Sequence, residues 1–310
     1  MSKEATRNAY GKALAELVSE RDDIVVLDAD LTKSTKTIDA KNARSDRHFN
    51  MGIAEGNMMS VAAGLAASGF KAYASTFAIF ASGRAYEQIR NSAGYPHLNV
   101  KVCATHAGIT VGEDGATHQS FEDLALMREI PGMSVFSPCD ATQAKAIVKA
   151  VADIDGPCYV RLGRGAVEDV YNDEANSFTF GKANILKQGE KVALIATGMM
   201  VQETLEAAKI LEAAGKKVTV VDMATIKPLD ETTIIELAKT HDILITCEEH
   251  SVIGGLGSAV SETVVKNHPV KMAMIGMQDT YGESGTPAEL LEKYGLNAKT
   301  IVNKVNEVWD

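Results

Sequence analysis

The chain has 310 residues, of which 45% are hydrophobic and 23% charged, and its formal net charge is -10 at pH 7. This length suits two domains better than one, and the composition is that of a globular protein with an ample core. The negative charge argues against a non-specific nucleic-acid-binding protein, which needs a basic face to neutralise phosphates. Small anionic ligands remain possible, because a few local Arg and His residues suffice to bind a phosphate.

The N-terminal segment MSKEATRNAYGKALAEL is charged and lacks the apolar centre of a signal peptide. No apolar run elsewhere reaches the ~18 residues that a membrane span requires. Four cysteines, Cys103, Cys139, Cys158 and Cys247, lie far apart in the sequence and form no Cys-x-x-Cys pair. We therefore expect a cytoplasmic protein without membrane contact, in which the cysteines are reduced and belong to the core.

Short β-branched runs alternate with helical patterns over about the first 165 residues. Strands are predicted in DIVVLDADL, in NVKVCATH, which ends at His106, in MSVFSPCD, and in PCYVRLGR, which ends at Arg164. A helix is predicted in ATQAKAIVKAVADI, and the alternation indicates a parallel sheet with helices on both faces. Because ligands bind beyond the carboxyl ends of such strands, His106, Arg164 and the segment after Asp28 are expected at one edge of the sheet.

A second unit follows the polar stretch from Gly165 to Gly189, which lacks sustained periodicity and predicts a linker. Strands are predicted in KVALIATG and DILITCEEH, a strand followed by a loop in KKVTVVDMATIKPLD, and helices in MMVQETLEAAKILEAAG, ETTIIELAKTH and GGLGSAVSETVVKNH. The sequence thus predicts an α/β protein of two three-layer α/β/α domains, at 1–168 and 189–310, with a linker at 169–188.

The segment THAGITVGEDGATHQS, residues 105–120, is a loop rich in Gly, His and acidic residues at the end of a predicted strand. Loops of this length in such a place are usually functional. Three interpretations stay open. His106, Asp114 and His118 could bind a metal, although their spacing fits no compact ligand pattern. The histidines could only stabilise the loop through hydrogen bonds. Alternatively, His and Asp could bind the hydroxyls of a polyol phosphate while His106 and Arg164 bind its phosphate.

Glu55 is the one carboxylate in the segment MGIAEGNMMSVAAGLA, residues 51–66, which is otherwise small and apolar. As an acid in the first turn of a helix it would gain ~0.3–1 kcal/mol from the helix dipole. As an acid in a dry pocket it would have a raised pKa and could share a proton with a ring nitrogen. The segment alone favours the first interpretation. Phe77 and Phe80, in STFAIF, either belong to the core or line a flat heteroaromatic ring.

Taken together and in this order, five stretches resemble the thiamine-diphosphate enzymes of the transketolase family: GIAEGNMMSVAAGLA, STFAIF, THAGITVGEDGATHQ, PGMSVFSPCD and GPCYVRLGR. The resemblance covers that family's pyrimidine-binding domain and its C-terminal domain. It implies that a two-carbon ketol unit passes from a ketose phosphate to an aldose phosphate with the help of thiamine diphosphate.

The same resemblance implies roles for single residues. Glu55 matches the catalytic glutamate that hydrogen-bonds N1′ of the cofactor's aminopyrimidine. The other cofactor contacts would be Leu31, Ile53, Phe77 and Phe80, and the substrate contacts would be Arg7, Ser34, His106, Asp114, His118 and Arg164. At two positions the sequence departs from the family, because Gly83 stands where a third aromatic is usual and Ala107 replaces the acid of a Thr-His-Asp motif.

The resemblance also implies what another chain must supply. In this family a separate N-terminal domain carries a GDG…N motif that binds Mg²⁺ and the diphosphate, and this sequence contains no such motif. We therefore expect no metal ligands here and a companion subunit that carries that domain. Because the family's cofactor lies between chains, we also expect homodimerisation and a heterotetrameric complete enzyme.

Three alternatives stay open: the β subunit of a 2-oxo acid dehydrogenase, a deoxyxylulose-phosphate synthase-like enzyme, and a non-catalytic scaffold subunit. The loop GEDGATHQ and Arg164 favour a sugar phosphate over an oxo acid. The synthase normally forms one full-length chain. A scaffold would have no need of the acid, the aromatics and the histidines.

Overall fold

A seven-stranded sheet organises the amino-terminal half of the protein. The structure is a computed structural model, which describes residues 3–309 of the chain. Its elements are β1 (Lys3–Ala5), α1 (Thr6–Glu20), β2 (Ile24–Asp28), α2 (Thr32–Thr35), α3 (Ile38–Ala43), β3 (His48–Asn50), α4 (Glu55–Ala67), β4 (Lys71–Phe77), α5 (Tyr86–Gln88), β5 (Val100–Thr105), α6 (Asp123–Glu129), β6 (Ser134–Phe136), α7 (Ala141–Ala150) and β7 (Cys158–Arg161). Between them lie 3₁₀ turns at Ser45–Arg47 and Ile109–Asp114 and π-helical turns at Phe80–Arg84 and Ile89–Gly94.

Six parallel strands of this sheet run in the order β6-β7-β5-β4-β2-β3. Every residue of β2, IVVLD, is buried, as expected for a strand covered on both faces. Val25 and Leu27 pack in one core cluster with Met58 of α4, and Ile24 and Val26 pack on the other face with α1. The register pairs Phe77 with Thr105, so the carboxyl ends of β4 and β5 lie side by side.

The second unit contains a five-stranded sheet in the order β14-β13-β10-β11-β9. Its elements are β8 (Ala166–Glu168), α8 (Glu174–Ser177), β9 (Asn184–Lys187), β10 (Val192–Ala196), α9 (Met200–Ala213), β11 (Thr219–Asp222), β12 (Thr225–Lys227), α10 (Glu231–Thr240), β13 (Ile243–Ser251), α11 (Leu256–Asn267), β14 (Lys271–Met277), α12 (Pro287–Lys293) and α13 (Ala298–Val308). Helices α9 and α13 share a core cluster with β10, while α10 and α11 pack in the cluster that also holds β2 and α4. The predicted α/β class with parallel sheets is confirmed.

The polar stretch for which the sequence predicts a linker carries regular structure. Helix α8 lies within it, and β9 adds an antiparallel edge strand to the second sheet by pairing with β11. Just before it, β8 pairs antiparallel with β1 at the start of the chain. The alternation in β9 spans only four half-buried or exposed residues, too few to show a period in the sequence. The domain boundaries themselves stay a prediction.

The two units share a sheet as well as a core. Directly after β11, the chain crosses over and β12 pairs antiparallel with β6, completing the edge of the first unit's sheet. The sequence predicts only a loop after β11 in this segment. Beside the crossing, the buried guanidinium of Arg161 donates through Nε to Asp123 Oδ2 at 2.8 Å and through Nη2 to the carbonyl of Glu249 at 2.9 Å. The second contact joins the first unit's strand β7 to the second unit's strand β13.

All four cysteines are buried and free. Within residues 3–309, none of the helices combines the length and the apolar character that crossing a bilayer demands.

A second buried polar cluster at the seam surrounds Asp222, the last residue of β11. Its Oδ2 accepts hydrogen bonds from Gln143 Nε2 at 2.6 Å and from the Tyr171 hydroxyl at 2.7 Å. Its Oδ1 is buried and has no hydrogen-bond partner. Burial raises the pKa of Asp222 to about 6, against the opposing effect of the two donors.

Asp222→Asn should remove a pH dependence of folding stability. Between about pH 4 and 6 the folded Asp222 keeps its proton while the unfolded carboxyl has lost it, so the free energy of unfolding falls as the pH rises. The stability of the Asn variant relative to wild type should therefore rise across this window by up to ~3 kcal/mol. Urea unfolding followed by circular dichroism at several pH values measures the difference. Asp279→Asn, at an exposed site, is the matched control. The prediction would be contradicted if the stability of Asp222→Asn relative to wild type depended on pH no more than that of the control does.

Candidate active site

Glu55 is both a helix-start residue and a buried acid. It is the first residue of α4, and only 6% of its side chain is exposed. Small neighbours let the chain close around it, since a Cβ on Gly56 would lie 3.1 Å from Gln88 Oε1. In the part of the chain that the structure describes, its carboxylate has one side-chain partner, Arg84, whose Nη1 lies 3.3 Å from Oε1.

Two phenylalanine rings stack beside this acid. Phe77 is the last residue of β4 and Phe80 opens the π-helical turn, and their ring centroids lie 5.7 Å apart at an interplanar angle of 18°. Neither ring belongs to the three core clusters found among the described residues. Short π-helical segments are frequent at functional sites. Although Phe77 is buried, the pair lies outside these clusters and contacts Arg84 and the two loop histidines, so it forms a wall of the site.

His106 continues the wall on the other side of Phe77. It follows β5 directly with a left-handed backbone (φ 57°), and its ring centroid lies 3.9 Å from that of Phe77. His118, on the loop after β5, meets Phe80 edge-on at 5.4 Å. The structure thus brings both loop histidines to the aromatic pair.

Arg7 of α1 connects His106 to the segment after Asp28. Its Nη1 donates to the carbonyl of Ser34 at 3.0 Å and to His106 Nε2 at 3.2 Å. Because Nε2 accepts there, Nδ1 of His106 carries the proton and donates to Thr105 Oγ1 at 2.9 Å. Burial, followed by the positive charges of Arg7 and Arg164, lowers the pKa of His106 to about 3, so the imidazole is neutral.

The two arginines near His106 differ in their partners, because Arg164 is paired with Glu113 whereas Arg7 has no carboxylate partner in residues 3–309. Burial and the charge of Arg164 lower the pKa of Arg7, and its buried Nε has no hydrogen-bond partner. Arg164 lies three residues beyond the end of β7, and not at the strand end as predicted, because the strand ends at Arg161 and a loop follows. There its Nη1 donates to the carbonyl of Val111 and to Glu113 Oε2, the latter at 3.0 Å. Two crowded cations of this kind favour a bound anion.

The remaining predicted residues are more exposed than Glu55. Leu31 is half-buried and precedes α2, which contains Ser34, while Ile53 is 78% exposed two residues before Glu55. Asp114 is exposed at the end of the 3₁₀ turn, and its carboxylate has no hydrogen-bond or ion-pair partner in residues 3–309. Over the same residues, no group of three or more His, Cys, Asp or Glu side chains is arranged to hold a metal ion. The loop histidines are therefore not gathered into a metal site with Asp114.

Arg84 is the site residue that sequence analysis missed. Its guanidinium carbon lies 4.3 Å above the centroid of the Phe80 ring while Nη1 contacts Glu55. A signal was present, because Phe80 and Arg84 are four positions apart and helical spacing places such residues on one face. Contacts therefore run without a break from Glu55 through Arg84, Phe80, Phe77 and His106 to Arg7.

Comparison with known proteins gives two family matches that together cover most of the chain. Residues 2–169 match the transketolase pyrimidine-binding domain, and residues 181–301 match the transketolase C-terminal domain. A solved structure described as a split gene transketolase, inactive beta4 tetramer, is 54% identical with a TM-score of 0.92, over 98% of each chain.

Curated relatives agree with these matches. A protein of Methanocaldococcus jannaschii, provisionally named a transketolase C-terminal section, is 48% identical over 97% of this chain and 95% of its own length. The 6-deoxy-6-sulfo-D-fructose transketolase subunit SqwH of a Clostridium species is 42% identical over 97% of this chain and 94% of its own. Human transketolase is 36% identical over 97% of this chain but only 48% of its own length.

Proton NMR of the imidazole groups tests the neutral state of His106. Because burial and the nearby arginines lower its pKa to about 3, the His106 resonance should not shift between pH 5 and 8, whereas a histidine in the urea-unfolded chain titrates near ~6.5. Arg7→Ala should raise the pKa of His106, because one of the opposing charges is gone. Lys33→Ala, which removes an exposed cation from α2, is the control that should leave it unchanged. A shift of the wild-type His106 resonance between pH 5 and 8 would contradict the prediction and show that the imidazole is exposed to water.

Proposed function

We propose that this chain, which belongs to the transketolase family, is the subunit of a two-chain transketolase that binds the aminopyrimidine of thiamine diphosphate and the anionic end of a sugar substrate. One observation carries the proposal: the buried carboxylate of Glu55 and the open ring face of Phe80 converge on the same planar group, the Arg84 guanidinium. A carboxylate beside an aromatic face is the pair of contacts that an aminopyrimidine requires.

The residues present fit this end of the cofactor. An aminopyrimidine is flat and carries N–H donors in its plane when protonated, so it needs an acceptor at its edge and an apolar surface on its face. Glu55 supplies the acceptor, and Phe80 with Phe77 supplies the surface. Leu31 and Ile53 are apolar side chains that a bound cofactor would cover. When bound, thiamine diphosphate would supply the nucleophilic carbon and the electron sink that carry a two-carbon unit.

Glu55 would hold a proton between its carboxylate and the ring nitrogen. The carboxylate is almost completely shielded from water, and a hydrogen bond to a charged group is stronger in such surroundings than in solvent. The start of α4 adds the positive end of a helix dipole, which attracts a negative charge at this position. Both interpretations of Glu55 that the sequence left open therefore describe one role.

The cations at the other end of the site would bind the tail of a sugar phosphate. Arg7 and Arg164 crowd each other and His106, and Arg7 has an unpartnered buried donor, so a phosphate would relieve repulsion and satisfy that donor. Neutral His106 would contact the sugar from the same side as Ser34, and His118 and Asp114 would contact its hydroxyls. The relative that acts on 6-deoxy-6-sulfo-D-fructose has a sulfonate substrate, a tetrahedral anion of related shape.

A companion subunit would complete the site. The sequence contains no GDG…N motif, and the two matched domains account for about half the length of human transketolase. We therefore propose that the companion binds Mg²⁺ and the diphosphate, and that two copies of each chain form a heterotetramer. The crowded arginines favour this function over a 2-oxo acid dehydrogenase, whose small substrates carry no phosphate tail.

Glu55→Gln should abolish turnover without unfolding the protein. The amide keeps the size of the side chain but cannot hold the ring proton, so activity should fall at least ~100-fold. The assay combines the chain with its companion subunit, thiamine diphosphate and Mg²⁺, and follows xylulose 5-phosphate with ribose 5-phosphate. Glu87→Gln, an exposed change on α5, should be fully active. More than a few per cent residual activity would remove Glu55 from the central role, and pyruvate-dependent turnover by wild type would favour the rival enzymes.

Arg164→Ala should weaken substrate binding only when the substrate carries a phosphate. Losing one charged hydrogen bond should raise KM for xylulose 5-phosphate by ~10- to 100-fold with little change in kcat. Turnover of unphosphorylated xylulose should be the same for variant and wild type. Lys33→Ala serves as the control for a general loss of positive charge. Equal losses on both sugars would place Arg164 outside the phosphate site.

A further inference from the structure

We infer that Arg84 occupies the place of the aminopyrimidine ring while the chain is free of cofactor, and that the ring binds by displacing it. The inference rests on the proposed function, because it concerns the same subsite. It assigns a function to Arg84, a residue without a predicted role: the guanidinium pairs with the Glu55 carboxylate until the ring binds.

The contacts of Arg84 are those that the ring would make. Its Nη1 donates to Glu55 Oε1 at 3.3 Å, and its guanidinium carbon lies 4.3 Å from the centroid of Phe80. A guanidinium is planar, has N–H donors in its plane, and stacks on aromatic faces. It therefore meets the acceptor and the surface of the subsite in the way that a protonated aminopyrimidine does.

The two groups cannot be bound together in these positions. Only 6% of the Glu55 side chain is exposed, so the carboxylate has little room for a second donor. Phe80 already has Phe77 stacked beside it and His118 against its edge. The ring and the guanidinium thus compete for the same acceptor and the same aromatic surface.

Of the two partners, Arg84 is the one able to leave. Its side chain is 57% exposed and keeps contact with water, whereas Glu55 is enclosed. It lies at the end of the π-helical turn next to Gly83, where a Cβ would have no neighbour within 4 Å. The absence of a side chain at Gly83 leaves space for the guanidinium to swing outward. A third aromatic ring at that position would fill this space.

The exchange keeps the buried carboxylate paired in both states. A buried carboxylate without a partner destabilises the fold strongly, so an empty subsite needs a substitute donor. The consequence is a lower apparent affinity for the cofactor, because only the fraction of molecules with Arg84 displaced is competent to bind.

Arg84→Met tests both the pairing of Glu55 and the reduced affinity for the cofactor, because methionine keeps much of the apolar stem and removes the guanidinium. Isothermal titration of thiamine diphosphate with Mg²⁺ into the two-subunit complex should give a Kd ~3- to 30-fold lower for the variant than for wild type. In the absence of cofactor the same variant should have a lower Tm, because Glu55 has lost its partner. Arg90→Met, an exposed change in the next π-helical turn, should alter neither quantity.

The outcomes are distinct. An unchanged or higher Kd for Arg84→Met, with wild-type binding intact, overturns the inference and leaves the proposed function standing. Absence of cofactor binding by the wild-type complex overturns both. If Arg84→Met fails to fold, Arg84→Lys takes its place, because it keeps the charge but not the planar stacking group. A Kd for Arg84→Lys below that of wild type supports displacement, and an unchanged or higher Kd contradicts it.

Discussion

A carboxylate that is removed from water must always have a hydrogen-bond partner, and the arrangement around Glu55 follows from that constraint. The start of α4 offers the positive end of a helix dipole, the small residues exclude bulk and solvent, and Arg84 supplies the donor. Each of these features is tolerable elsewhere in a protein. Together they hold a single acid in a dry position where a heteroaromatic ring can reach it.

At the opposite end of the site the electrostatic problem is reversed. Arg7 and Arg164 are crowded together, His106 is kept neutral, and a buried donor of Arg7 is left over. The site therefore has a buried carboxylate at one end and two arginines with a neutral imidazole at the other, separated by the aromatic wall. This difference in charge agrees with the proposal that a cationic ring binds at the first end and the anionic tail of a separate substrate at the second.

The sequence was a good guide where local rules decide the structure. Alternating strand and helix patterns predicted the parallel sheet, and the rule on strand ends placed His106 beside the segment after Asp28, where Arg7 now joins them. It failed where the partner is distant in sequence. The strand β12 pairs with β6, about 90 residues earlier, and β9 is too short to show a period. No local pattern reveals that Glu55 is buried, because acids in a first helical turn are common on surfaces. Arg84 was missed because a cation four residues after an aromatic is usually solvated.

Strand β12, which crosses to the sheet of the first unit, limits how far the protein can be truncated. Removal of the second unit would uncover β6 and leave the main sheet with an unpaired row of backbone donors and acceptors, the kind of border along which proteins aggregate. It would also strip Arg161 of its Glu249 contact and open the shared core. The first unit is therefore not an independent module onto which a C-terminal domain has been added. Through this strand the second unit forms the edge of the first unit's sheet, so the two units depend on each other for their stability.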